Sequence, residues 1–563
     1  SDSEDEKESD NGKSSKGVDL EDKSKQESKG YTKGNGDTKS DFDGIEAMTD
    51  DNYQKKQYDA IDEDAKEVIH LNIPKVNLKE IIVDYKVVND DLTKHYKSKC
   101  QGYESNTKYM EWIEKDIIDF KNEQKQTISY MVKEFEMRKA ADLYKRSTVS
   151  KTGSLNMDKL HGYSYNEDIF LKMNVEPGAT NHGLVMFVDW SGSMADNFYN
   201  TIKQTLNLVW FCERVNIPFE VYGFTNGYSN REDTNKNPNI QKRKLNDMVI
   251  NELRLLNILS SRANKNDMQE GLVNIWAYAN YWGEYRNQNK SRMPVNDMGR
   301  VDIYPIYPHS DYQLHSTPLN HSIVAAMDLV PQFTKDYGLQ KVHTVFLTDG
   351  ASNSIDKKYE FSMEDSRPYR EQYDSNDKHI PLPDDYQGTI MPSSISIQDK
   401  TLVVTDPVTK KKWIEKKVES RNGYYYSRFS YSTQTEILLS FLKERLPGMS
   451  ITNFFIASRN RKGTLSKNDI ASIFGLSTWD DEDKIKSIQK EILKNNVAVC
   501  KTGGWDEMYV LPGGKRLDVS DDNMSEITPG TAKTGELKKA FSKMSSGRKN
   551  SRPLLNKFIG MIA

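Results

Sequence analysis

At 563 residues the chain has room for several domains, and with 36% hydrophobic and 29% charged residues it reads as soluble and rather polar. No run approaches the roughly 18 apolar residues of a membrane-spanning helix, and the acidic start lacks the basic-then-apolar pattern of a signal peptide. Cys100, Cys212 and Cys500 lie far apart and form no paired motif, which argues against a thiolate zinc site and fits a reducing cytoplasm.

Residues 1–66 read as a disordered acidic tail: the first fifty carry 15 acidic and 8 basic residues and too few apolar ones to offset chain entropy. Residues 67–160 read as a mostly helical region. Its short apolar runs VIHLNIP and IIVDYKVV precede a helix over 109–146, where Trp112, Ile113, Ile117, Phe120, Ile128, Met131, Val132 and Phe135 recur at helical spacing. A linker over 147–153 leads to a short helix and then an edge strand within 155–177.

The organising stretch is HGLVMFVDWSGSM, residues 182–194. Residues 184–188 are apolar throughout, as in a strand buried on both faces. The run stops at Asp189-Trp190-Ser191-Gly192-Ser193, where a carboxylate and two hydroxyls alternate around a glycine. From 196 to 213, Phe198, Ile202, Leu206, Leu208, Val209 and Phe211 predict an amphipathic helix. Strand, polar loop, helix is the layout of a ligand site at the carboxyl end of a parallel strand. Hard oxygen donors of this kind suit Mg²⁺ or Ca²⁺. A Ser-Gly-Ser turn also forms without any metal, and on this stretch alone the two readings stand level.

PFEVYGF at 218–224 predicts a second strand, 226–246 an exposed polar loop, and 245–288 a helical insertion. Pro294, Pro305 and Pro308 make 289–309 extended. Then comes HSTPLN at 315–320, with Thr317 in a turn and Pro318 opening a helix over 319–329. KVHTVFL at 341–347 predicts another buried strand, ending in Thr348-Asp349-Gly350-Ala351-Ser352. His309, His315 and His321 match no usual zinc spacing and read as ordinary turn and helix residues.

A second insertion over 354–430 contains a hairpin turning near Asp406-Pro407; such insertions are natural partner-contact surfaces. A helix over 433–444 and a strand over 450–457 follow. The stretch 460–563 reads as a small α+β extension with a helix over 481–495, a β segment around Trp505, Met508, Tyr509 and Val510, and a basic helical region over 536–562. Leu554, Leu555, Phe558 and Ile559 are expected to pack that end back on the preceding domain, in preference to nucleic-acid binding. Walker A, His-Glu-x-x-His and Gly-x-Ser-x-Gly patterns are missing, so ATP hydrolysis, zinc proteolysis and a nucleophile elbow find no residues to run on.

Acid and hydroxyl residues thus occupy three separate loops in the order Asp-x-Ser-x-Ser, Thr, Asp. That order resembles the metal-ion-dependent adhesion site of von Willebrand factor A (VWA) domains. The wording HGLVMFVDWSGSM, STPLN and VFLTDG, after a charged helical region and an acidic tail, resembles the CobT family of cobaltochelatase subunits, closest to members encoded by large tailed bacteriophages.

The resemblance implies an α/β fold, Rossmann-like with a doubly wound, mostly parallel sheet, over 180–458. It implies insertions at about 226–310 and 354–430, and Asp189, Ser191, Ser193, Thr317 and Asp349 as ligands of Mg²⁺, with Ca²⁺ or Mn²⁺ as substitutes. The interval of 128 residues from Asp189 to Thr317 exceeds that of ordinary A domains, so Thr317 is the least secure of the five. It further implies a non-catalytic adaptor, in a bacterial or phage-infected cytoplasm, that docks through its metal to an AAA+ ATPase of the cobaltochelatase/MoxR type acting on an unidentified target. An enzyme subunit active in metal insertion, and an adhesion or virion-associated protein without an ATPase partner, remain as alternatives.

Overall fold

A strand that is apolar at every position must be covered on both faces, and the apolar runs of this chain are. The computed structural model describes residues 67–146, 148–155, 170–175, 181–227, 248–250, 253–285, 292–294, 303–350, 352, 356–358, 389–390, 400–415, 431–457, 465–474, 476–478, 481–500, 504–513 and 557–560. The expected tail over 1–66, most of the 354–430 insertion and nearly all of the last helical region lie outside them.

The central sheet has eight strands. In chain order they are Ile82–Val83 (β1), His182–Asp189 (β2), Phe219–Thr225 (β3), Arg254–Ser260 (β4), Lys341–Thr348 (β5), Ser450–Ala457 (β6), Ala498–Cys500 (β7) and Glu507–Pro512 (β8). Their spatial order is β7-β8-β6-β5-β2-β3-β4-β1. Neighbours run parallel except at β3·β4 and β7·β8. The chain is therefore α/β with a mostly parallel central sheet.

Alternation along β2 sends Leu184, Met186 and Val188 to one core and Val185 and Phe187 to the other. Helices Tyr85–Cys100 (α1), Glu104–Arg146 (α2), Phe198–Val215 (α3) and Lys265–Tyr285 (α4) build the first layer. Leu319–Tyr337 (α5), Tyr431–Arg445 (α6), Lys467–Phe474 (α7) and Glu482–Asn495 (α8) build the second. β2 is followed by α3 on one face, and its neighbour β5 by α6 on the other. The topological switch point, where ligands bind in open α/β sheets, thus falls between the carboxyl ends of β2 and β5.

Several expectations change. The helix expected across 245–288 is split, because RLLNILS forms β4, antiparallel to β3, and among the described residues of that stretch only Lys265–Tyr285 is helical. An uninterrupted apolar run reads alike as buried strand or helix, and here cover on both faces decides for strand. Much of the 226–310 stretch is therefore part of the layered fold. The linker at 147–153 is instead part of a strand, Thr148–Leu155, paired with Phe170–Val175 in a separate two-stranded sheet and not at an edge of the central one. Of the α+β extension expected over 460–563, the described β8 pairs in parallel with β6 and so joins the central sheet. Helix α3 is buried all round from Phe198 to Cys212, polar residues included, because α2 and α4 cover its outer face. Phe558 and Ile559 do pack back, with Phe558 edge-on to Phe211 and His343.

The hairpin at 400–415 forms as expected, turning at Asp406, and its strand Lys400–Thr405 also takes Glu67–Asn72 as a parallel neighbour. Asp406 is fully buried and receives Arg445 Nε at 2.9 Å, the Val408 N–H at 3.0 Å and the Thr409 hydroxyl at 2.8 Å. Burial alone would raise this carboxyl, but the hydrogen bonds, that of Arg445 foremost, hold it below the usual carboxylate range. Asp406→Asn leaves buried Arg445 with only the more distant Asp328 carboxylate, at 3.8 Å, as counter-charge and is expected to lower stability by about 3 kcal/mol near neutral pH. Because the folded pKa is depressed, the wild-type contribution is complete above the unfolded value and is lost as pH falls through the folded one. Urea unfolding of both proteins at about pH 7 and about pH 3 should show the gap narrowing in acid.

Candidate functional site

Three loops converge at the switch point. The first leaves β2 at Asp189 and turns through Trp190 to Gly192–Asp196, a short 3₁₀ segment leading into α3. Trp190 anchors it. The indole is buried, donates Nε1–H to the Tyr312 carbonyl at 2.7 Å, stacks on Tyr278 and meets Phe198 edge-on. On β3, Gly223 leaves room for that ring, since a Cβ there would stand 2.6 Å from it.

The second loop arrives from Tyr312. His315 forms a single parallel bridge with Ser191: its N–H donates to the Trp190 carbonyl at 3.0 Å, and its own carbonyl accepts from Gly192 N–H at 2.7 Å. Thr317 follows two residues later, buried, just before α5. The third loop leaves β5 at Thr348 and carries Asp349.

Side chains link the first and third loops. Ser193 donates its hydroxyl to Asp349 Oδ1 at 2.7 Å, so the 2.9 Å contact between Ser191 and Ser193 has Ser191 as donor. Thr348 donates to Asp189 Oδ2 at 2.9 Å. Asp189 Oδ1 is buried and accepts no hydrogen bond of normal geometry. The cluster runs from fully buried Asp189 and Ser191 outward to half-buried Asp349 and exposed Ser193, so it opens to solvent on one side.

The two carboxyls shape the electrostatics. Burial, and then the Asp349 carboxylate, push Asp189 up to about 7, against the pull of the Thr348 hydrogen bond. Burial pushes Asp349 up to about 6, opposed by the Ser193 hydrogen bond and reinforced by Asp196. Neighbouring carboxylates titrate as a pair, and full ionisation of both is unfavourable without a compensating positive charge.

Asp189, Ser191, Ser193 and Asp349 are therefore brought into one cluster. Thr317 lies on the loop bridged to Ser191, without a side-chain hydrogen bond to the other four among the described residues. Thr348 was missed in the sequence; its position at the strand end, next to Asp349, was the available signal. The three histidines do not converge. His309 meets His95 and Tyr312 edge-on, His315 bridges Ser191 through its backbone, and His321 stands in the first turn of α5. Among the described residues no group of three or more His, Cys, Asp and Glu is placed to hold a metal. The cluster is made instead of two carboxylates and the hydroxyls beside them. Compared with known proteins, the chain matches no protein-family profile and no curated protein.

A raised carboxyl has a direction of effect on stability. The folded chain holds the Asp189 proton more tightly than the unfolded chain, so in chelator stability is highest below the unfolded pKa and declines as pH rises through about 7. Asp189→Asn should remove much of that decline. Thermal unfolding in EDTA should find the variant more stable than wild type near pH 8 and close to it near pH 5.

Proposed function

We propose that this chain is a VWA-type adaptor, with Asp189, Ser191, Ser193, Thr317 and Asp349 holding Mg²⁺ directly or through water. The observation that carries the reading is the buried Asp189 Oδ1 without a hydrogen-bond partner, beside a second carboxylate and a file of hydroxyls at the switch point. A buried carboxylate oxygen needs a donor or a cation. The donors present are all hard oxygens, as Mg²⁺ prefers, and Ca²⁺ or Mn²⁺ would suit the same set.

When bound, such an ion supplies an open coordination position for a carboxylate from a partner. The chain's own residues do the rest. Thr348 holds Oδ2 of Asp189 and turns Oδ1 toward the cluster. Ser191 and Ser193 relay a hydrogen bond to Asp349 that orients its carboxyl. The Trp190 indole keeps the turn between them rigid.

The partner is inferred from the likeness of HGLVMFVDWSGSM, STPLN and VFLTDG to CobT-like subunits. It would be an AAA+ ATPase of the cobaltochelatase/MoxR type, with this chain coupling ATP-driven remodelling to a target. These 563 residues hold no Walker A sequence, so the ATPase site lies outside them.

A pull-down from native lysate tests both parts, comparing wild type in Mg²⁺, wild type in EDTA, and Asp189→Ala in Mg²⁺. An AAA+ ATPase recovered only in the first sample is the expected result. Recovery in all three would move docking away from these loops, and recovery in none would favour an adhesion role. Alongside, Mg²⁺ at 100 times its dissociation constant should stabilise wild type by about 2.7 kcal/mol and leave Asp189→Ala unmoved in urea titrations.

A further inference from the structure

The Thr317 loop reaches the site only because another strand end holds it. β3 ends at Thr225, and the next two residues form a small cradle. Thr225 Oγ1 accepts the Gly227 N–H at 3.1 Å, which closes the turn. Asn226 Oδ1 accepts the Ser316 N–H at 3.2 Å, across 90 residues of sequence. Gly227 lies flush against the His315 imidazole, where a Cβ would stand 1.8 Å from the ring. His315 is in turn fixed on its backbone side by Trp190 and Gly192. The loop is thus gripped from β2 at residue 315 and from the end of β3 at residue 316, one position before Thr317.

We infer that Asn226 is a positioning residue for the metal site: its side-chain carbonyl sets the Ser316 peptide and thereby presents the Thr317 hydroxyl to the cluster. The inference rests on the metal reading above and adds to it. Among the described residues no hydrogen bond joins Asn226 to Asp189, Ser191, Ser193 or Asp349, and no ligand role for it is implied. Its effect runs through one peptide N–H. Without that acceptor the Ser316 amide turns to water, and Thr317 keeps the anchor at His315 before it and the start of α5 after it. Residues that orient ligands in this indirect way typically contribute about 10–100-fold in metal affinity.

The test uses the full chain and Mn²⁺ as the probe, with free Mn²⁺ read by electron paramagnetic resonance and Mg²⁺ added as competitor. Asn226→Ala should bind Mn²⁺ about 10-fold more weakly than wild type, with its melting temperature in EDTA unchanged. Asn226→Asp keeps the acceptor oxygen and should restore tight binding. Equal affinity in wild type and Asn226→Ala would overturn the inference, as would a loss that Asn226→Asp fails to rescue. Failure of wild type itself to take up Mn²⁺ would remove the metal reading, a result distinct from either.

Discussion

Two carboxyls, one buried and one half-buried, at the ends of adjacent parallel strands set the terms for everything around them. Ionised together without a counter-charge, Asp189 and Asp349 repel at low dielectric, and burial penalises each of them separately. The surrounding residues answer part of this. Thr348 satisfies one oxygen of Asp189, and Ser193 one oxygen of Asp349. The other Asp189 oxygen stays unanswered in the polypeptide. A fold of marginal stability keeps such an arrangement only where the rest of the molecule holds it in place, and buried unsatisfied groups of this kind concentrate at functional positions.

The holding is done by aromatic packing under the first loop. Trp190 lies against Tyr278 and Phe198, and deeper in the layer Phe120 stacks on Trp276 with Trp210 beside it. These rings come from α2, α3, α4 and the turn after β2, so the long N-terminal helix belongs to the same core as the site. Trp276 also donates to Asp116 on α2, which receives Arg292 from the chain beyond α4. Removing α2 would therefore uncover the part of the outer face of α3 that α4 does not cover. The helix that follows the serine loop would then lose the packing that makes its start rigid.

What could be read in the sequence follows from what is local. β2, β5 and β6 announce themselves as apolar runs, and the loops after β2 and β5 as acid-and-hydroxyl clusters at predictable ends, so four of the cluster's residues were legible without any structure: Asp189, Ser191, Ser193 and Asp349. β4 was not, because RLLNILS is equally a helical segment until its partner β3 is known. The burial of Asn200, Lys203 and Gln204 on α3 was not, because polar residues on a helix signal solvent unless a further helix lies beyond them. The entry of β8 into the central sheet, and the pairing of Glu67–Asn72 with Lys400–Thr405, depend on long-range partners that periodicity cannot see. Thr348 was overlooked for a different reason: a hydroxyl inside a strand reads as filler until its acceptor is located.

Sequence distance was the weakest guide of all, and the Thr317 loop shows why. The interval of 128 residues between Asp189 and Thr317 suggested an insertion that could carry the threonine anywhere. Chain length alone opposes loop closure only gently, by about 0.6 kcal/mol for each doubling. Much of the interval is also not loop, since β3, β4 and α4 are spent building the sheet and its cover. What locates Thr317 is the series of anchors before it: the Tyr312 carbonyl taken by Trp190 and Tyr278, the His315 backbone paired to the end of β2, and the Ser316 amide held by Asn226. Each is a short hydrogen bond to an element already fixed by the sheet. A chain pinned at three successive points has little freedom left at the fourth, however long the path that brought it there.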